Sequence, residues 1–276
     1  MPGIAAHLVF RAVDSRVLAP TVGARRRLAR ALVQVGNAYG LLAFGAADTH
    51  VHVLLLGSAA PGPGAHALAL AVRHATGLPV PMERTRILPV DDQIHLGRAF
   101  FYTLGQAAHH GVGFDPLREA TSLPDLLGLR PGGHDVIARV RAALPRVGRD
   151  QLLASLGVPH LNPTLLLDHV HEAACAAAGT VDLAGRTPRI LAARRAALAL
   201  TTAQLTTRAA ATRFGLAPRS ARRDRASPAD PAWIRAVGLQ MGLRAHLGPA
   251  PDDDAPRSQA PRAPAPAMSR SPTIHR

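Results

Sequence analysis

Lysine is absent from this chain: all 32 basic side chains are arginine, and against 18 acidic ones they leave a formal charge of +14. The codon bias of a GC-rich genome accounts for the missing lysine but not for the excess of positive charge. A polyanionic partner accounts for that excess, because a guanidinium fork grips phosphate at two points and a positive field speeds encounter with a phosphate backbone. Cysteine is nearly absent too. The single residue, Cys175, excludes an internal disulfide framework and a cysteine-rich zinc module, and reads as a small buried hydrophobe in a reducing compartment. No apolar run approaches the ~20 residues that a bilayer demands. The N-terminus MPGIAAHLVFRAVDSR lacks the charged start and apolar stretch of a secretory signal. A cytoplasmic protein without a membrane partner is expected. Aromatics make up only 3% of the chain, with two tyrosines, Tyr39 and Tyr102, so chemistry that needs a phenol has two candidates. Aliphatic side chains are abundant, and 47% hydrophobic content over 276 residues supports folded cores in two domains.

Periodicity orders the first part of the chain. HLVFRAV, from His7 to Val13, is a β-rich run, and ARRRLARALVQVG places apolar residues at helical spacing. AYGLLAFGAADTHVHVLLLG holds two apolar runs, with Gly45, Ala46, Ala47 and Asp48 as a turn between them. After the breaker APGPG, AHALALAVRHATG reads as a second helix and ERTRILPV as a fourth short strand. The order βαββαβ predicts an α+β fold with a ferredoxin-like, split βαβ antiparallel sheet, two helices covering one face and the other face open. A further helix is expected from Gln93 to His110, with Tyr102 in its middle. The expected division is a catalytic domain over residues 1–130, an all-helical domain over 131–248 and a disordered tail over 249–276, where Pro, Ala and Ser cannot build a core.

Four residues carry chemistry. Side chains two apart on a strand share a face, so His50 and His52 in THVHVLL project together while Val51 faces the opposite layer. Two imidazoles on one face can chelate a metal, although His-x-His also occurs as ordinary strand surface. Downstream, Tyr102 and Gln106 lie four apart, the spacing that puts a phenol and an amide oxygen on one helix face. Core packing beside Phe100 and Phe101 is the other reading of Tyr102, and Tyr39 reads as packing near a strand start. His109 and His110 read as a solvated helix end, with contact to DNA phosphate or help in proton transfer as the other reading; His7 reads as a strand-end residue, with a place near the site as the other. His169 and His171 diverge around a helix and make poor joint ligands.

AYGLLAFGAADTHVHVLLL followed by FYTLGQAAHHG resembles the HUH single-strand transposases, in particular the REP-associated tyrosine transposases. That family is marked by a His-hydrophobic-His strand and one tyrosine on a later helix. The resemblance covers roughly residues 7 to 130 and implies the βαββαβ fold, with Tyr102 as nucleophile. It also implies a divalent metal, Mg²⁺ or Mn²⁺, on His50, His52 and Gln106, and places Gly111 at a family glycine. ATSLPDLLGLR, from Ala120 to Arg130, is similar to the family's closing Trp-Ser-Ser…Leu-Gly stretch. Thr49 stands where the family usually has Asn, Ala107 where it has Pro, and no Trp precedes Thr121 and Ser122. The activity implied is cleavage and joining of single-stranded or hairpin DNA through a 5′-phosphotyrosine, with a homodimer as the expected assembly.

In the helical part, LTTRAAATRFGLAPRSARRDRA resembles a helix-turn-helix, with Gly215 in the turn and Ala211 small enough for a close helix crossing. Its second helix carries Arg219, Arg222, Arg223 and Arg225, suited to guanine edges and phosphates. Arg11, on the first strand, is a further DNA-contacting candidate. Two alternatives stay open: a regulator that binds DNA without cutting it, and a metal-dependent hydrolase that uses water in place of Tyr102.

Overall fold

The β-rich run of HLVFRAV becomes strand β1, Ala5–Arg11, and the two apolar runs around Asp48 become β2, Leu41–Ala46, and β3, His50–Leu56. Strand β4 spans Arg86–Val90. In the computed structural model, which describes residues 3–57, 61–106, 119–155, 158 and 160–247, these strands form one antiparallel sheet in the order β2-β3-β1-β4. The architecture is α+β, one four-stranded sheet with many helices. No helix of the described residues is long and apolar enough to cross a membrane.

Helix α1, Val22–Gly36, starts at Thr21, whose hydroxyl accepts from the Ala24 amide, 3.2 Å away. Helix α2, Gly62–Thr76, begins earlier than the APGPG breaker suggests, because Pro63 is tolerated in a first turn, where its missing N–H has no partner to lose. It ends at Gly77, in the left-handed region at φ +64°. Together they cover the sheet face that carries Leu8, Phe10, Val51, Val53 and Leu55, all at most 1% exposed. Helix α3, Gln93–Leu104, is capped by the Asp92 carboxylate, which accepts from His95 N at 2.7 Å. It lies across the opposite face, over β2 and β3. The element ends at Leu104 with Gly105 as its cap, so Tyr102 sits in its last turn; Gln106 is helical again, and residues 107–110 of the expected helix lie outside the described residues.

The turn expected from Gly45 to Asp48 is shorter than the composition suggests, since Gly45 and Ala46 belong to β2. Gly45 is required for another reason. A Cβ built on it would stand 2.0 Å from the Thr103 carbonyl oxygen, so only the bare backbone lets α3 lie this close to β2. The outer edge of β2 is covered by residues 120–122: Ala46 N donates to Ala120 O at 2.9 Å and Ser122 N to Phe44 O at 2.9 Å. The opposite edge, β4, is marked by Pro89, which cannot offer an amide to another chain.

Among the described residues further helices follow: α4 (Leu123–Leu126), α5 (His134–Ala143), α6 (Arg149–Ser155), α7 (Val170–Ala178), α8 (Pro188–Leu200), α9 (Thr207–Arg213), α10 (Pro218–Ala226) and α11 (Pro231–Leu247). Helices α5 and α6 share the hydrophobic cluster of the sheet, whereas α7 to α9 build a second cluster with one side of α11. The change of cluster falls between Leu161 and Leu165, well past residue 130. A buried ion network joins the two. The Arg26 guanidinium, on α1, bonds Glu119 and Glu172, and Arg244 of α11 stands 3.8 Å and 3.5 Å from the same two carboxylates. Burial alone would lower the Arg26 pKa, but the two carboxylates outweigh it and hold the guanidinium charged. The expected tail, 249–276, lies outside the described residues.

Candidate functional site

Strand alternation puts His50 and His52 on the sheet face opposite Val51 and Val53, and the rings stand 4.8 Å apart between centroids. Register then adds residues that sequence spacing does not connect. On β1, Arg11 pairs with His50 and Val9 with His52, which brings His7 onto the diagonal from His52. The two rings meet there: His7 Nε2 lies 2.8 Å from His52 Nδ1, in a buried hydrogen bond. Burial, helped by the charge of His95, pushes the His7 imidazole down to about 4. His7 is therefore a member of the cluster and not merely a strand-end residue. Its signal in the sequence was the His-x-Val-x-Arg alternation of β1, which has no meaning until β1 is paired with β3.

The close seat of α3 on Gly45 delivers Tyr102 to this cluster. Its ring stands edge-on to His52 at 5.5 Å and to His7 at 5.8 Å, and the residue is 41% exposed, so the phenol is open to a ligand. Gln106 goes elsewhere. It is fully buried, its Cγ 3.6 Å from where a Cβ on Gly45 would be, and Gly45 is the direct cross-strand partner of His52. Its Nε2 donates to the Tyr102 carbonyl at 2.9 Å, while its Oε1 is buried with no hydrogen-bond partner among the described residues. The four-residue spacing thus puts Tyr102 at the rim and Gln106 beneath it, beside His52.

A depression of about 450 Å³ opens over β1 and β4, lined by His7, His50, His52 and Tyr102, with Arg11, Arg84, Arg86 and Glu83 around it. Arg11 donates to Ser15 Oγ at 2.7 Å and stands 3.9 Å from Glu83, half-exposed in both contacts' surroundings. On the other flank of Tyr102, a groove of about 1210 Å³ runs between α3 and the start of α6, with Ile94, Phe101 and Val147 in its walls and Arg98 and Arg146 beside them. The tyrosine is the ridge between the two.

Among the described residues no three His, Cys, Asp or Glu side chains form a metal-holding group. A cation here would rest on two imidazoles and an amide oxygen. The residues fit that role: the two rings share one face, and the buried Gln106 Oε1 lacks another partner among the described residues. His109, His110, Ala107 and Gly111 lie outside the described residues. Tyr39 lies in a short 3₁₀ turn ahead of β2, its ring against Gly64 of α2, a packing position. His171 stacks on Phe214 at 6.2 Å, far along the chain from the cluster, and desolvation pushes the Cys175 thiol up to about 12, which leaves it unreactive.

Helices α9 and α10 meet at Gly215, at φ +63°, with Ala211 1% exposed in the contact. Arg219, Arg222 and Arg223 point to solvent. Arg225 does not share that face: it donates to Thr202 Oγ1 at 3.2 Å, Thr207 Oγ1 at 3.0 Å and Leu205 O at 2.7 Å, stapling α10 to the connection between α8 and α9. Asp224, 1% exposed, is ion-paired with Arg194 of α8 at 2.5 Å and fixes the same helix.

Compared with family models, with curated proteins and with solved structures, the chain finds no match.

Proposed function

We propose that this chain is a metal-dependent enzyme that nicks and joins single-stranded DNA, of the HUH tyrosine transposase type, with Tyr102 as nucleophile. The observation that carries the reading is the convergence of Tyr102 with His50, His52 and His7 in one arginine-rimmed depression, with the Gln106 amide buried beside it. We read the βαββαβ succession and the order β2-β3-β1-β4 as the ferredoxin-like split βαβ arrangement, which fits the resemblance in the sequence. Bound on His50, His52 and Gln106, Mg²⁺ or Mn²⁺ would supply Lewis-acid polarisation of a phosphate.

The chain's own residues do the rest. Tyr102 is half-exposed at the rim, where its Oη can reach a phosphorus; the new bond to Oη forms as the bond to the 3′ oxygen breaks. The phenol gives up its proton as it attacks and the leaving oxygen takes one up, so the products are a 5′-phosphotyrosine and a free 3′-hydroxyl. A later attack by a 3′-hydroxyl on that linkage restores the tyrosine, so joining needs no nucleotide cofactor. Arg11, Arg84 and Arg86 offer charge to the strand on either side of the scissile phosphate. The exposed Arg219, Arg222 and Arg223 offer a second contact, to duplex or hairpin DNA.

The test is incubation of the wild type and Tyr102→Phe with end-labelled, hairpin-bearing single-stranded DNA from the gene's flanks, with Mn²⁺, then denaturing electrophoresis. We expect a covalent adduct in the wild type alone, abolished by chelation. Cleavage that persists in Tyr102→Phe moves the reading to a water-using hydrolase; binding without cleavage in either protein moves it to a DNA-binding regulator.

A further inference from the structure

We propose that His7 is a positioning residue: it holds His52 in the tautomer protonated on Nδ1, and so keeps His52 Nε2 unprotonated, the form that can coordinate a divalent cation. The inference rests on the metal reading above and goes beyond it, because neither the His-x-His spacing nor the resemblance assigns a role to a residue on β1.

His7 and His52 are 7% and 5% exposed, and the facing ring nitrogens are 2.8 Å apart. A contact of that length between two ring nitrogens holds one proton, since two lone pairs repel and two N–H groups clash. The proton has two placements. If His7 donates from Nε2, His52 accepts at Nδ1, and a neutral His52 then carries its own proton on Nε2, where it blocks coordination. If His52 donates from Nδ1, His7 accepts at Nε2, and the far nitrogen of His52 is a donor to metal. Only the second placement makes His52 a ligand, and it requires His7 to carry its proton on Nδ1. Buried ligand histidines commonly need such a partner on the other ring nitrogen, which fixes both tautomer and ring orientation.

The ladder makes this partner rigid. His7 is opposite Leu54 and His52 opposite Val9 in the central strand pair of the sheet, so the two rings meet across backbone that cannot slip without turning every side chain to the other face. The same bond steadies the wall against which the Tyr102 ring rests. His7 acts through His52 and touches neither cation nor phosphate in this scheme.

The experiment compares the wild type with His7→Leu and His7→Gln. The glutamine amide oxygen comes near the place of the imidazole Nε2 and can accept the proton; leucine fills the space and offers no acceptor. Two readouts are taken: Mn²⁺ uptake from the loss of the free-ion electron paramagnetic resonance signal, and the ring tautomers from two-bond ¹H–¹⁵N correlations. Melting curves for both variants separate folding from binding. We expect His52 to be the Nδ1–H tautomer in the wild type. His7→Leu should weaken Mn²⁺ binding about 10- to 100-fold, and His7→Gln should recover most of that loss. A wild-type His52 protonated on Nε2, or a folded His7→Leu that takes up Mn²⁺ as tightly as the wild type, overturns the proposal. A wild type that takes up no Mn²⁺ sinks the metal reading of the site; the tautomer spectrum still decides the role of His7, since an Nδ1–H tautomer lost in His7→Leu and kept in His7→Gln supports it.

Discussion

Asp125 is 2% exposed, and an Arg130 guanidinium nitrogen stands 2.9 Å from its Oδ2 without the alignment of a hydrogen bond. Desolvation outweighs the attraction to Arg130 and pushes the carboxyl from an ordinary value near 3.8 up to about 6. A carboxyl that keeps its proton longer in the folded protein than in the unfolded one contributes stability in full below the unfolded value. That contribution is lost as pH rises through the folded one. Asp125→Asn should therefore flatten the pH dependence of stability between pH ~4 and ~6, by ~3 kcal/mol at most for a shift of this size. Urea midpoints of both proteins across that range check it; parallel curves would remove Asp125 as the cause. At this same scale the candidate site was partly legible. His50 and His52 follow from the two-residue period of a strand, and Tyr102 from the scarcity of phenols. The bond between His7 and His52 was not, because 45 residues separate the two and only the strand register brings their rings together.

Between elements, the seat of α3 on β2 is decided by one missing side chain. With Cβ present at Gly45, the Thr103 carbonyl would have to retreat, taking with it the last turn that holds Tyr102 and the residue Gln106. Gly45→Ala should cost ~1–3 kcal/mol by overpacking and should depress adduct formation in protein that is still folded. Denaturant unfolding and the DNA adduct assay measure the two effects separately. A variant with wild-type stability and adduct yield would mean that α3 can shift without consequence. The composition of GAAD points to a turn at this glycine. Composition cannot distinguish a glycine needed for a bend from one needed for a close crossing, because both demand the absence of Cβ and only the neighbour differs.

Over the whole molecule, the charge of +14 is not spread over equivalent arginines. Arg26, Arg194 and Arg244 are at most 6% exposed and ion-paired with carboxylates, so they hold the fold and offer nothing to a polyanion. Arg225 is spent on α10. The arginines open to solvent there are Arg219, Arg222 and Arg223. Replacing these three with alanine should weaken DNA binding and lower the slope of log affinity against log salt by about 2–3, with little change in melting temperature. Arg225→Ala should do the reverse, lowering the melting temperature and leaving the salt slope nearly unchanged. Equal effects from the two variants would argue against this division of labour.

The sequence by itself determined the succession of strands and helices through residue 104, the shared face of His50 and His52, the single cysteine without a disulfide and the excess of cationic charge. These follow from local period and composition, which act within a few residues. Only the tertiary structure decided that His7 bonds His52, that Gln106 lies buried beside Gly45, that α5 and α6 join the sheet's core, and that Arg225 turns inward. These depend on strand pairing, on how closely two backbones can approach and on which helix packs where, and those are set by burial summed over the chain and not by any local pattern.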